Sequence, residues 1–143
     1  MSKIIAFLAL IALNTPVDTS LVSRQEVGCI ATAVYHEARG ETRDGQTAVA
    51  KVILNRMYSV HYPKTACEVV YQPHQFTDID KAKPDYNSKA WSRAVEIAAL
   101  TYTGLIDIDL KGATHYYAPA KVKPAWDKGQ AAVNIGNHRF LRG

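Results

Sequence analysis

The chain reads as one α+β domain, mainly helical and closed by a small C-terminal β element. Three observations carry that reading. Apolar residues recur at helical spacing in segments between residues 23 and 103, and each segment is bounded by capping residues or glycine. After Gly104 the composition changes to short β-type runs around Gly136-Asn137. No repeat, low-complexity tract or second domain interrupts the 143 residues, a length that supports one hydrophobic core.

The elements follow in order. Met1-Ser2-Lys3 is a short positive start, Ile4 to Leu13 is uncharged and apolar, and Asn14-Thr15-Pro16 ends the run. Residues 1–20 are therefore expected to be a secretory signal or a short N-terminal anchor, with 21–143 as the folded domain. The apolar run is well short of the roughly 20 residues that span a bilayer. No A-x-A site follows, so an uncleaved, weakly held anchor and an N-terminal core helix both stay open. Any membrane contact is expected through this segment alone. Ser23-Arg24-Gln25-Glu26 has the form of a capping box and predicts a helix start, with Val27, Ile30, Val34 and Ala38 on one face and a stop at Gly40. Asp44 is the expected N-cap of a second helix over Gln46 to Arg56, with Val49, Val52, Ile53 and Met57 in helical register. Thr65-Ala66-Cys67-Glu68 is another capping box and opens a short helix to about Tyr71. Residues 72–87, rich in Pro, Asp and Gln, read as loop. A fourth helix fits Ser88 to Thr103, with Trp91, Val95, Ala98 and Tyr102 on one face and Gly104 as its stop. Ala113 to Ala118 and Val133 to Leu141 supply the β residues.

Cys29 and Cys67 are the two cysteines. In an exported chain an even pair suggests a disulfide, with two buried free thiols as the alternative. The formal net charge of +4 suits anionic partners in an envelope compartment. Lys and Arg are scattered, with no basic helix or nucleic-acid motif, so nucleic acid is set aside as a partner.

The chemistry centres on Tyr35-His36-Glu37-Ala38-Arg39-Gly40-Glu41. Glu37 stands three and seven residues after Val34 and Ile30, which places a carboxylate on the apolar face just before the helix breaks. Partial desolvation there favours the protonated form and suits a general acid, while a structural ion pair is the plainer role. Glu41, Asp78 and Asp80 are the candidates for a second carboxylate, none with supporting context. The five histidines show no H-E-x-x-H or similar spacing, so no metal and no cofactor is expected. His115 and His138 sit in polar-aromatic clusters. Gln75, Phe76, Tyr116, Tyr117 and Trp126 are candidates to line a groove for sugar rings. Core packing is the competing role for Phe76, Trp91 and Phe140, and it is preferred for Trp91.

Taken together, these segments resemble the SleB-type cell wall hydrolase family, which includes the spore cortex-lytic enzymes. The likeness runs from the Glu37 motif through Gly45-Gln46-Thr47-Ala48-Val49-Ala50, Val52-Ile53-Leu54-Asn55-Arg56, Tyr62-Pro63, Val69-Val70-Tyr71-Gln72 and Gln75-Phe76. It ends with Gly112-Ala113-Thr114-His115-Tyr116-Tyr117 and Ile135-Gly136-Asn137-His138-Arg139-Phe140. The resemblance implies a lysozyme-like domain, secreted or held in the cell envelope, that cleaves the glycan strand of peptidoglycan. It places the catalytic glutamate on Glu37 and supports the Cys29–Cys67 disulfide. Gln75, Phe76, His115, Tyr116, Tyr117 and Asn137 are the expected substrate contacts, and the expected working form is a monomer. One well-placed carboxylate and no zinc pattern favour a lytic transglycosylase. A water-using muramidase, an N-acetylmuramoyl-L-alanine amidase and a non-catalytic glycan-binding module are the alternatives. Tyr117 departs from the commoner His-Tyr-His, which removes any His-dependent role there.

Overall fold

Among the described residues, four helices are followed by three strands: α1 (Val17–Ala38), α2 (Arg43–Met57), α3 (Ala66–Val70), α4 (Lys89–Tyr102), β1 (His115–Tyr117), β2 (Ala132–Ile135) and β3 (His138–Leu141). The computed structural model describes residues 17–143 apart from 74, 77, 78, 80 and 81, with side chains described from residue 21 onward. The apolar run Ile4 to Leu13, Asp78 and Asp80 lie outside the described residues. The mainly helical α+β class is as expected.

The face of α1 read from spacing is the buried one: Val27, Ile30, Val34 and Ala38 are all in the core. Its start is not where the capping box put it. The helix begins at Val17 and runs through Ser23, because the other half of the box is engaged elsewhere. The Glu26 carboxylate is buried and accepts hydrogen bonds from the backbone N–H of Ala66 (2.6 Å) and Cys67 (3.1 Å). It thus satisfies donors at the start of α3, which a five-residue helix leaves open. Thr65 caps the same end as expected, its Oγ1 accepting from Glu68 N at 3.2 Å. The Cys29–Cys67 disulfide closes beside this contact, with the two Cα atoms 5.1 Å apart.

Helix α2 is buried on nearly every side, including Gly45 through Ala50, Val52, Ile53, Leu54 and Arg56, and the other helices pack around it. Its N-cap is Thr42, not Asp44. The turn closed by Glu41 N–H to Ala38 C=O (2.9 Å) delivers Thr42 in extended conformation, and its side chain accepts from Gly45 N. Asp44 falls in the first turn, where its charge opposes the positive end of the helix dipole. Ser88 caps α4 by accepting from Trp91 N at 3.1 Å, and Gly104 ends it at φ +78°. The buried stripe of α4 is Ala94, Ile97, Ala98 and Thr101. Trp91, Val95 and Tyr102 flank it, partly buried against the core, so the predicted face is one edge of the true one. No described helix is long and apolar enough to cross a membrane.

The sheet is antiparallel in the order β1-β3-β2, with His115 opposite Leu141 and Ala132 also opposite Leu141. Gly136-Asn137 forms the two-residue turn between β2 and β3, and Gly136 takes φ +56°, which a hairpin of this length asks of its first central residue. Phe140 and Leu141 of the central strand are buried. Asn55 Nδ2 donates to Ala113 C=O (2.9 Å), which fastens the lead-in of β1 to the last turn of α2.

The disulfide spans a separation of 38 residues. Chain-entropy arguments give a loop of this size a stabilisation of about 4 kcal/mol. Urea unfolding of the oxidised and reduced protein should show a loss of that order. Equal midpoints would mean that the reduced unfolded chain is already restrained.

Candidate active site

The C-terminal turn of α1, the last turn of α2, the 72–76 loop and the β1 region converge on a cleft of about 400 Å³. Its walls are Glu37, Arg56, Gln75, Phe76, His115, Tyr116 and Trp126. Glu37 is half-buried, one turn beyond the fully buried Val34, as its place on the apolar face of α1 requires.

Arg56 organises the cleft, and its burial was not read from the sequence. Only 5% exposed, it donates from Nε to Thr114 C=O (2.8 Å) and from Nη1 to Gln75 Oε1 (3.1 Å). Its guanidinium carbon lies 5.0 Å from the Tyr62 ring centroid and 5.3 Å from that of Phe76. Stacking and two acceptors offset part of the cost of burying the charge, and burial draws its pKa below the usual arginine value. The same contacts orient Gln75 and Phe76. His115 is held below the ordinary imidazole range, first by burial and then by the positive charge of Arg56. Its Nδ1 lies 3.0 Å from Thr114 Oγ1. Near neutral pH this ring is an uncharged hydrogen-bonding group. Tyr116 packs against His138 and Phe140, with centroids 5.2 and 5.5 Å apart.

Of the six expected substrate contacts, Gln75, Phe76, His115 and Tyr116 line the cleft with Glu37. Phe76 is also buried in the core, so its two competing roles coincide. Tyr117 and Asn137 are not among its lining residues. The Tyr117 hydroxyl donates to Asp127 Oδ2, and Arg139 Nε donates to the same oxygen at 2.9 Å. Asp127 is held down at about 2 by the Tyr117 hydroxyl, the Gly129 N–H and Arg139.

Asn137 is turned to Glu41. Its side-chain Nδ2 donates to Glu41 Oε2 (2.9 Å) and its backbone N–H to Oε1 (3.2 Å). His138 Nδ1 is 3.6 Å from Glu41 Oε1, although burial keeps the His138 pKa below its usual value. The Glu41 carboxylate therefore ties the loop before α2 to the β2–β3 turn. A Cβ at Gly136 would meet Glu41 Oε1 at 2.9 Å, so that turn needs glycine for space as well as for its backbone angle. Glu41, a candidate second carboxylate, is thus committed to the hairpin.

The sequence profile of the cell wall hydrolase family matches residues 40–141. The chain belongs to this family. Glu37 stands just before the matched segment. The spore cortex-lytic enzyme of Oceanobacillus iheyensis is 47% identical over 122 residues, covering 84% of this chain and 42% of that protein. That of Bacillus subtilis is 30% identical over 119 residues, covering 82% and 38%. The chain spans less than half the length of these relatives. The solved catalytic domain of the germination-specific lytic transglycosylase SleB from Bacillus anthracis superposes with a TM-score of 0.66 at 29% identity, over 82% of this chain and 93% of that domain. The catalytic domain of the Bacillus cereus SleB protein gives 0.65 at 31% identity, over 83% and 91%. Family members are cell wall hydrolases, and the mostly helical fold with its small sheet is the fold of these catalytic domains.

The Asn137 bonds to Glu41, the largest influence on that carboxylate, lower its pKa. A group depressed on folding stabilises above its unfolded pKa and loses that contribution as pH falls through the folded value. Glu41→Gln should therefore be less stable than the parent at pH 7, with the gap narrowing below about pH 4. Thermal midpoints across pH 3–8 check this, and a gap independent of pH would refute an ionic role.

Proposed function

We propose that this protein is a lytic transglycosylase that cleaves the peptidoglycan glycan strand between N-acetylmuramic acid and N-acetylglucosamine, with Glu37 as its single catalytic carboxylate. The observation that carries this reading is the position of Glu37, half-buried in a cleft walled by hydrogen-bonding and aromatic side chains. In the first step protonated Glu37 gives its proton to the glycosidic oxygen as the C1–O bond breaks. The resulting carboxylate then takes the proton of the muramyl C6 hydroxyl, which closes on C1 to form a 1,6-anhydro ring. No water is consumed, and the glutamic acid is regenerated. Gln75, the neutral imidazole of His115 and the Tyr116 hydroxyl supply hydrogen bonds to sugar substituents, and Phe76 supplies apolar surface.

Two further considerations support the reading. Hydrolysis by the usual two-carboxylate route needs a partner facing the acid, and Glu41 is engaged with the hairpin. The SleB domain from Bacillus anthracis, covered almost throughout, is named a lytic transglycosylase. Residues 1–20 are proposed to export the chain, which would then act on the wall as a monomer from the periplasm or the cell surface. Asn137 is proposed to support the cleft through Glu41 instead of touching sugar.

Mass spectrometry of sugars released from purified peptidoglycan tests the chemistry. Anhydro-muramyl ends are expected. Reducing muramyl ends would instead indicate a muramidase and direct attention to Asp78 and Asp80. Free peptides on intact glycan would indicate an amidase. Glu37→Gln should lower the rate by about 10²- to 10⁴-fold while the thermal midpoint and wall binding are kept. A variant with near-parental rate would remove Glu37 from the mechanism. Wall binding with no product from the parent would leave a binding module.

A further inference from the structure

Trp126 is a large aromatic side chain left 39% exposed at the wall of a polar cleft, on a segment with no regular secondary structure. The segment around it is fastened. His115 and Tyr117 lie on the same face of β1, since side chains alternate along a strand. Trp126 meets both rings, with centroids 5.2 Å from His115 and 5.5 Å from Tyr117, the latter edge-on at 90°. The next residue, Asp127, accepts from the Tyr117 hydroxyl and Arg139 Nε through Oδ2, and from Gly129 N–H through Oδ1 at 3.0 Å. Gln130 Nε2 donates to Trp126 C=O (3.2 Å) and to Arg142 C=O (2.9 Å). The loop is therefore pinned to β1 and β3 at the residue after the indole and again three residues further on. These bonds add nothing to the core, and their common effect is to hold Trp126 in one place beside the cleft.

We propose that Trp126 is the platform on which the pyranose ring of an N-acetylated hexosamine lies, and that Asp127, through Tyr117, Arg139 and Gly129, is the residue that positions it. The axial C–H face of a pyranose is apolar and matches the electron-rich face of indole, while the sugar's hydroxyl and amide groups point outward to the polar cleft wall. A platform already held in place loses little conformational freedom when sugar binds. This inference rests on the glycan-cleaving reading and specifies one subsite of it. Trp126 is the substrate contact, and Asp127 acts only through it.

The test is calorimetric titration of the full chain with tri-N-acetylchitotriose, alongside tryptophan emission in a Trp91→Phe background that leaves Trp126 as the sole tryptophan. Saturable binding that perturbs Trp126 emission is expected. Trp126→Ala should weaken binding about tenfold, with Trp126→Phe recovering most of it. Asp127→Asn should shift Trp126 emission to the red and raise KM several-fold with kcat on peptidoglycan nearly unchanged, a split that a purely structural role would not produce. Parental affinity in Trp126→Ala, or emission indifferent to saturating sugar, overturns the platform. If the parent still clears wall suspensions in that case, the glycan-cleaving reading stands without it. A parent that neither binds the trisaccharide nor clears walls overturns both.

Discussion

Burial of the Arg56 guanidinium is the constraint around which the cleft is arranged. Helix α2 runs through the centre of the helical layer and delivers a permanent positive charge to the boundary with the sheet. A charge in that position must find acceptors, and Arg56 reaches one in each of two other parts of the chain: Thr114 C=O ahead of β1 and Gln75 in the loop after α3. Satisfying Arg56 therefore brings together two of the surfaces that face Glu37. The Phe76 and Tyr62 rings complete its surroundings, and Phe76 serves as core and cleft wall at once. Electrostatic need and the shape of the cleft are met by the same contacts.

Two other carboxylates extend this pattern. Glu26 and Glu41 each reach across many residues of sequence to backbone N–H groups, one at the start of α3 and one at the β2–β3 turn. Both act as connectors between α1 or its following turn and a distant element, and both make charge-assisted bonds, the stronger class. Of Glu26, Glu37 and Glu41, the first and last thus hold the fold, and Glu37 opens on the cleft.

Local signals in the sequence were reliable where the determining contacts are local. The apolar spacing of α1, the Thr65 cap, the Gly104 stop and the Gly136-Asn137 turn each depend on residues within a few positions. Most of the misreadings have long-range causes. Ser23 and Glu26 match a capping box in pattern, but Ala66 and Cys67 take the carboxylate. Thr42 and Asp44 are both good caps, and the turn at Gly40 decides between them. Arg56 looks like an ordinary basic residue in the last turn of a helix, and its burial depends on residues 19 and 58 positions away. Tyr117 and Asn137 sit in clusters of the right composition, yet Asp127 and Glu41 claim their polar groups. The placement of Glu37 on the cleft side of α1 was legible because its cue is helical phase, which needs only its own helix.

The strand order carries a consequence for when the cleft can exist. β1 and β2 make no pairing with each other, and each is completed only by β3, the last strand of the chain. The wall bearing His115 and Tyr116 thus has no sheet behind it until residue 141 is available. Glu37 and the strand that backs this wall are separated by most of the described sequence, a long-range closure of the kind that slows folding. The cleft is thus a product of the whole fold and of no single segment, because one of its walls is backed only when strands far apart in sequence have met.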